Sequence, residues 1–185
     1  PDNCPFDFNP DQSLNNDGDD QGDICDAASK LDALPPGPRL VFVNGVYNSS
    51  LSTVPQIPGA EIQPLAEALA EHGGHVEAYL GQLSAKDETH GFAQLNLAFA
   101  CDGLVVRLEE GIQLEQPIAV AHIYSGGTRA EEVNTRNLFI LKEGAEATVV
   151  EYDLGLEDAV YTANTTTEFF LDGAAVLHHV QMQAK

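Results

Sequence analysis

From Leu104 to Gln183 the chain repeats one unit, a short run of Val, Ile, Leu, Tyr, Phe and Thr that ends at an acid–glycine corner. The corners are Asp102-Gly103, Glu110-Gly111, Glu143-Gly144 and Asp172-Gly173, and residues 104–108 and 145–152 follow two of them as expected strands. Glycine permits the positive φ of a tight corner, and β-branched side chains suit a pleated, half-buried surface. Two longer segments superimpose: Asn134-Thr135 through Glu143-Gly144, and Asn164-Thr165 through Asp172-Gly173, at an offset of about 29 to 30 residues. A period of that length predicts a stacked β solenoid in which each turn buries its inward side chains against the next.

Composition sets the outer limits. A chain of 185 residues with 43% hydrophobic side chains can bury one good-sized core and carry a small appendage. The formal charge of −21 argues against nucleic acid or an anionic membrane as partner, since both need Lys and Arg against phosphate. Residues 1–26 hold eight of the 29 acids and no Lys or Arg, so the remainder, 21 acids against eight bases, carries −13. No apolar run approaches the roughly 20 residues of a membrane-spanning helix. The chain starts at Pro1 inside a motif and stops at Lys185 after an apparent strand, which reads as a fragment or processed product lacking later turns.

Residues 1–26 have almost nothing apolar to bury, so something other than a core must order them. Oxygen-bearing residues alternate at Asn15, Asp17, Asp19, Gln21 and Asp23, with Asp26 at the twelfth place of a loop begun at Asn15. Ca²⁺ takes six to eight oxygens, and this phasing lets a curling backbone point carboxylates inward, Gln21 giving its backbone carbonyl. Cys4 and Cys25 bracket the loop and in an oxidising compartment would close it with a disulfide worth about 3 kcal/mol. An acidic disordered tail is the alternative that charge alone supports. Asp2-Asn3-Cys4-Pro5, Asn9-Pro10-Asp11-Gln12, Asp17-Gly18-Asp19 and Gly22-Asp23-Ile24-Cys25-Asp26 together resemble a thrombospondin type 3 repeat. That resemblance implies Ca²⁺ ligation and an extracellular setting. The spacer Ser13-Leu14 is one residue longer than usual there, and Asn15 stands where Asp is common.

Residues 27–38, with Pro35-Pro36-Gly37-Pro38, have the composition of a stiff linker, which places a domain boundary near residue 38. Residues 39–43 then read as a strand turning at Asn44-Gly45 into Val46-Tyr47, and residues 54–59 as a proline-broken loop. A helix is expected from Pro64, with Leu65, Ala66, Leu69 and Ala70 on one face and Gly73-Gly74 ending it. A second short helix is expected over 76–83 and a third over 92–100, with Phe92, Leu95 and Phe99 on its packed stripe. Residues 39–103 thus form a strand and helical flank, and 104–185 a partial solenoid.

No catalytic constellation emerges. His72 and His75 flank the Gly-Gly break as loop residues, His90 is placed to cap the next helix, and His122 is expected inward and satisfied by a backbone group. His178 and His179 are adjacent on a strand, so their rings point to opposite faces and cannot hold one ion together. Cys101 sits beside the carboxylate of Asp102, which makes it a poor nucleophile. Ser125-Gly126-Gly127-Thr128 lacks the Lys of a phosphate loop and reads as a turn.

Residues 39–47, Leu95-Asn96-Leu97-Ala98-Phe99, 131–136 and 143–151 together resemble SufD-type members of the SufB/SufD family of the SUF iron–sulfur cluster assembly machinery. The resemblance implies a right-handed parallel β-helix, pairing with a SufB-type subunit and association with a SufC-type ATPase. A nascent iron–sulfur cluster is built on that scaffold and passed on. The match covers the earlier part of the family's core, so the later turns, the C-terminal helices that dock SufC and the assembly-site histidine have no counterpart. No cluster ligand is carried over. The expectation is a mainly β, non-catalytic scaffold subunit of the reducing cytoplasm. The rival is a secreted calcium-binding structural or adhesion module.

Overall fold

A computed structural model describes residues 31–83, 91–125, 131–156 and 160–184. Six strands occupy the repeating stretch: β4 (Leu104–Leu108), β5 (Ile118–Tyr124), β6 (Glu131–Leu141), β7 (Glu146–Gly155), β8 (Tyr161–Leu171) and β9 (Val176–Ala184). Ahead of them come β1 (Arg39–Val43), β2 (Val46–Tyr47), β3 (Ala60–Pro64) and two helices, α1 (Leu65–Glu77) and α2 (Gly91–Phe99). Successive strands of the repeat alternate between two sheets, ordered β2-β1-β5-β7-β9 and β3-β4-β6-β8. Every pairing is parallel except the outer ones made by β2 and β3.

Alternating side chains explain why two sheets result. One face of each strand meets the opposite sheet in a shared core of Leu40, Phe42, Val106, Leu108, Ile118, Val120, Phe139, Leu141 and Val149. The outer face of the four-stranded sheet carries Val105, Leu138 and Ile140 against Leu65, Ala68 and Val76 of α1. On the other sheet, Val41, Ala121, Ile123 and Leu154 are covered by Leu31 and Leu51. With apolar side chains on both faces, β5 is buried along its whole length, as parallel strands covered on two sides are. The residues expected as a linker are therefore, from Leu31 on, part of the packed body.

The sequence repeat is the structural register. Asn134 pairs with Asn164, Thr135 with Thr165 and Phe139 with Phe169, a constant offset of 30. Like then stacks on like: the Phe139 and Phe169 rings lie 5.4 Å apart at 17°. The same offset carries Glu146 onto Val176, which aligns Gly144 with Ala174 rather than with Gly173. Gly144 has φ 67° and Ala174 φ 54°, so the left-handed residue of the last corner is an alanine, and the expectation that Gly173 supplies it is corrected. Left-handed backbone costs a non-glycine residue about 1–2 kcal/mol, against about 0.4–1 kcal/mol of unfolded-chain entropy that glycine adds. Ala174→Gly is expected to stabilise by about 0.5–1 kcal/mol and Gly144→Ala to destabilise by a similar amount, read as opposite shifts in thermal midpoint.

The helical flank departs from expectation in three places. Gly73-Gly74 does not stop α1, which runs on to Glu77 and is followed by turns rather than a second helix. Two glycines cost about 2 kcal/mol in a helix, but extending it seats Val76 at 2% exposure against the sheet, together with Tyr79 and Leu80. The expected stripe of α2 faces outward: Phe92 is 77% and Phe99 64% exposed, while Asn96 is wholly buried. Finally, Pro64, expected in the first turn of the helix, instead ends the strand Ala60–Pro64, which pairs antiparallel with β4 at the sheet edge, where a terminal proline is tolerated. The strand, Asn44-Gly45 turn and return are as expected, with Asn44 and Gly45 both at positive φ.

Candidate functional site

Along β5, β7 and β9 the inward positions change from apolar to polar. Ile118, Val120, Ala147 and Val149 belong to the shared core. By alternation the next inward residues are His122 and Tyr124, Glu151 and Asp153, and His179, Gln181 and Gln183. Asn137 of β6 reaches toward them from the other sheet. Its Oδ1 accepts from the Leu104 amide at 3.0 Å, and its Nδ2 donates to Glu151 Oε1 at 2.8 Å. Glu151, 1% exposed, also lies 3.4 Å from His179 Nε2.

Two residues on, Asp153 accepts from the Tyr124 hydroxyl at 2.9 Å on Oδ1 and from Gln181 Nε2 at 2.9 Å on Oδ2. The Tyr161 ring stacks on Tyr124 at 4.1 Å and 12°. These four residues, with Ala163, Thr165 and Gln183, line a cavity of about 200 Å³. Burial pushes the phenol of Tyr124 well above its ordinary pKa, and that of Tyr161 upward too, with the Asp153 charge adding to both. Both tyrosines therefore stay protonated.

The two inward histidines respond oppositely. His122 stacks on Phe42 at 5.4 Å, and neither ring nitrogen has a hydrogen-bond partner among the described residues, which corrects the expected backbone partner. Burial holds its pKa below the ordinary value despite Glu151 and Asp153. The contact with Glu151 raises that of His179. A raised folded pKa contributes stability that is present below the unfolded value of about 6.5 and lost as pH rises through the folded value. A lowered one does the reverse, costing stability as pH falls below about 6.5. Histidine ring NMR is expected to place the His179 midpoint above that of His122, and His179→Ala to remove the alkaline-side loss from the stability profile.

A second polar cluster sits under the helical flank. Arg136 and Glu168, 0% and 2% exposed, are joined at 2.8 Å, and Arg136 Nη1 donates to Asn96 Oδ1 at 3.0 Å. Asn96 Nδ2 in turn donates to the carbonyls of Thr135 and Asn164. The amides of Gly81 and Leu83 donate to Glu168. A third node is Asp102, whose Oδ1 accepts the Ala66 amide at 3.0 Å in the first turn of α1, while Oδ2 accepts the Tyr47 amide at 3.3 Å. Pro64 offers no side-chain cap to α1, so a carboxylate from a distant corner does so, with favourable helix-dipole charge.

Of the residues singled out by sequence, Asn15, Asp17, Asp19, Gln21, Asp23, Asp26, Cys4 and Cys25 lie outside the described residues, as do His90 and 126–130. His75 is exposed on α1, not in a loop. His178 is exposed while His179 faces Glu151, the opposite orientations that alternation requires. Cys101 is a free, exposed cysteine whose thiol donates to the carbonyls of Gly45 and Asn134. Among the described residues no group of three or more His, Cys, Asp or Glu is placed to hold a metal ion, and no helix is long and apolar enough to cross a membrane. Glu151 and Asp153 were missed by sequence reasoning, although the spacing Ala147, Val149, Glu151 already puts a carboxylate in line with core residues.

Residues 36–120 match the SufBD protein N-terminal region. The iron–sulfur cluster assembly protein SufD of Escherichia coli is 29% identical over 153 residues, covering 78% of this chain and 32% of the relative. An iron–sulfur cluster assembly SufBD family protein of Synechocystis sp. is 26% identical over 154 residues, covering 78% of this chain and 34% of the relative. The chain spans about a third of the length of the curated relatives it matches.

Proposed function

We propose, starting from the SufBD-like N-terminal region that residues 36–120 carry, that this chain acts as a non-catalytic scaffold component in iron–sulfur cluster assembly in the cytoplasm. The observation that carries the reading is the in-order alignment with two curated cluster-assembly proteins over more than three-quarters of the chain. Its strands support the architecture implied by the family: they alternate between two sheets in parallel register, as turns of a parallel β-helix do, and right-handed crossovers are the physical default. The partners are those of the full-length family, a SufB-type subunit and a SufC-type ATPase, the latter docked by helices beyond the matched region, with the cluster as cargo rather than resident cofactor. β8 and β9 stand last in their sheets and expose Phe169, Val180 and Met182, an apolar edge suited to further strands. Co-expression of the tagged chain with SufB-type and SufC-type subunits is expected to give co-purification of at least one of them. Recovery of the chain alone overturns the reading.

The oxygen ligands of residues 15–26 carry a separate proposal, Ca²⁺ binding by Asn15, Asp17, Asp19, the Gln21 carbonyl, Asp23 and Asp26, with Cys4 and Cys25 as a disulfide pair. Alternating carboxylates at fixed spacing support it. Calorimetric titration of the full chain with millimolar Ca²⁺ is expected to show saturable heat that Asp17→Asn and Asp19→Asn together remove. No heat in the intact, oxidised chain sinks it.

A further inference from the structure

Glu151 and Asp153 bury two carboxylates side by side on the inward face of β7, at 1% and 7% exposure. Among the described residues neither has a Lys or Arg partner; their contacts are Asn137 and His179 for Glu151, and Tyr124 and Gln181 for Asp153. His122, in register with Asp153, is held neutral by burial and supplies no counter-charge. His179, whose pKa the Glu151 contact raises, is a counter-charge for Glu151. Asp153 has only the neutral donors Tyr124 and Gln181, so the space beside Asp153 favours positive charge and repels anions.

The adjoining cavity has the shape and lining for that charge. Its volume of about 200 Å³ leaves room for a small organic cation. One wall is the stacked Tyr124 and Tyr161 pair, in which each ring covers one face of the other. Only the outer face of the partly exposed Tyr161 is left to attract a cation, and Thr165 and Gln183 add oxygens that accept N–H donors. Each Asp153 oxygen spends one lone pair on Tyr124 or Gln181 and keeps another. A metal ion fits poorly, because no group of three His, Cys, Asp or Glu surrounds it among the described residues. We infer that this cavity is a binding site for a small primary ammonium, its N–H donors on Asp153 and Thr165 and its alkyl carbons against Tyr161 and Ala163.

The experiment is a titration of the full, ¹⁵N-labelled chain with ethylammonium chloride at constant ionic strength, following the side-chain amides of Gln181 and Gln183. Tyrosine fluorescence is a second readout, since the chain has five Tyr and no Trp. A ligand this small is expected to bind in roughly the millimolar range. The shifts should saturate, and tetramethylammonium, which has no N–H, should bind at least about tenfold more weakly. Asp153→Asn should weaken ethylammonium at least about tenfold. Should that variant fail to fold, Tyr161→Leu, at a partly exposed ring, is expected to weaken binding at least about threefold. Shifts that stay linear and match those from sodium chloride overturn the assignment, as does unchanged affinity in whichever variant folds.

Discussion

Replacing Gly103 by alanine is expected to cost more than about 3 kcal/mol and to leave little folded protein, although the change adds a single methyl group. A Cβ built at Gly103 lies 1.9 Å from the carbonyl oxygen of Arg136 and 2.8 Å from its backbone nitrogen. Those are backbone atoms of β6, already fixed by the Arg136 amide donating to the Asp102 carbonyl at 3.0 Å, and cannot swing aside as a side-chain tip would. The carbonyl of Gly103 meanwhile accepts the Leu65 amide at 2.7 Å, where α1 begins. Relieving the overlap therefore pulls apart β4, β6 and the helix start together. A domain with about 5–15 kcal/mol in total does not absorb that easily. The control is Gly173→Ala, where the added methyl meets nothing within 4 Å and the backbone φ is ordinary; a change within about 0.5 kcal/mol is expected. Circular dichroism melts of the two variants decide the matter, and a Gly103→Ala protein melting within a few degrees of the parent refutes the close-approach account.

The contrast between those glycines shows where sequence reading reached its limit. All four acid–glycine pairs were read as corners; three lie at turns, while Asp102-Gly103 runs straight into β4 in the register that pairs Asp102 with Thr135 and Val105 with Leu138. What each pair is for depends on neighbours about 30 residues away. Gly103 makes room for a crossing backbone, Gly111 and Gly144 serve their own φ, and at the last corner the role has moved to Ala174.

Strands with one apolar face were equally legible, because period-two alternation is local. The Asn44-Gly45 hairpin was legible because its turn chemistry is nearly unique. Helices were less so. Apolar spacing gives α2 a stripe of Phe92, Leu95 and Phe99, yet the face that docks is chosen by Asn96, which has backbone carbonyls of β6 and β8 to satisfy. Hydrogen bonds to partners 39 and 68 residues away outrank a local apolar pattern, and no single-sequence rule announces them. The inward carboxylates fall between these cases. The alternation of Ala147 and Val149 carries Glu151 onto the core face, a signal that was missed, and its partners Asn137 and His179 come from strands whose register had first to be known.

Removing either member of the Arg136–Glu168 pair is expected to destabilise by about 3–5 kcal/mol, because what remains is a buried charge without its counter-ion. At roughly 2–4 °C per kcal/mol for a chain of this length, Arg136→Met should lower the melting midpoint by about 6–20 °C. Arg136→Met with Glu168→Leu should recover part of that loss, since replacing both charges removes two desolvation penalties along with one attraction. The Gly81 and Leu83 amides would still lack their acceptor, so recovery should be incomplete. Acid titration supplies an independent check. Burial alone would raise the Glu168 carboxyl, but the Gly81 and Leu83 amides and the Arg136 guanidinium outweigh it and hold the pKa below the usual carboxylate range. A depressed folded pKa contributes stability that is present above the unfolded value of about 4.3 and is lost as pH falls through the folded value. Wild-type protein should lose stability in that window, whereas Glu168→Gln should start lower and change less across it. Arg136→Met leaves the carboxylate buried without its cation, which raises the folded pKa toward or above the unfolded one. This variant should therefore start less stable and lose less stability than the parent as pH falls through the same window. Parallel acid profiles for all three proteins would show that the pair does not hold the turn after α1 onto the sheet, and the helical flank would then rest on its apolar contacts, the Asp102 cap and the Asn96 bonds to backbone carbonyls.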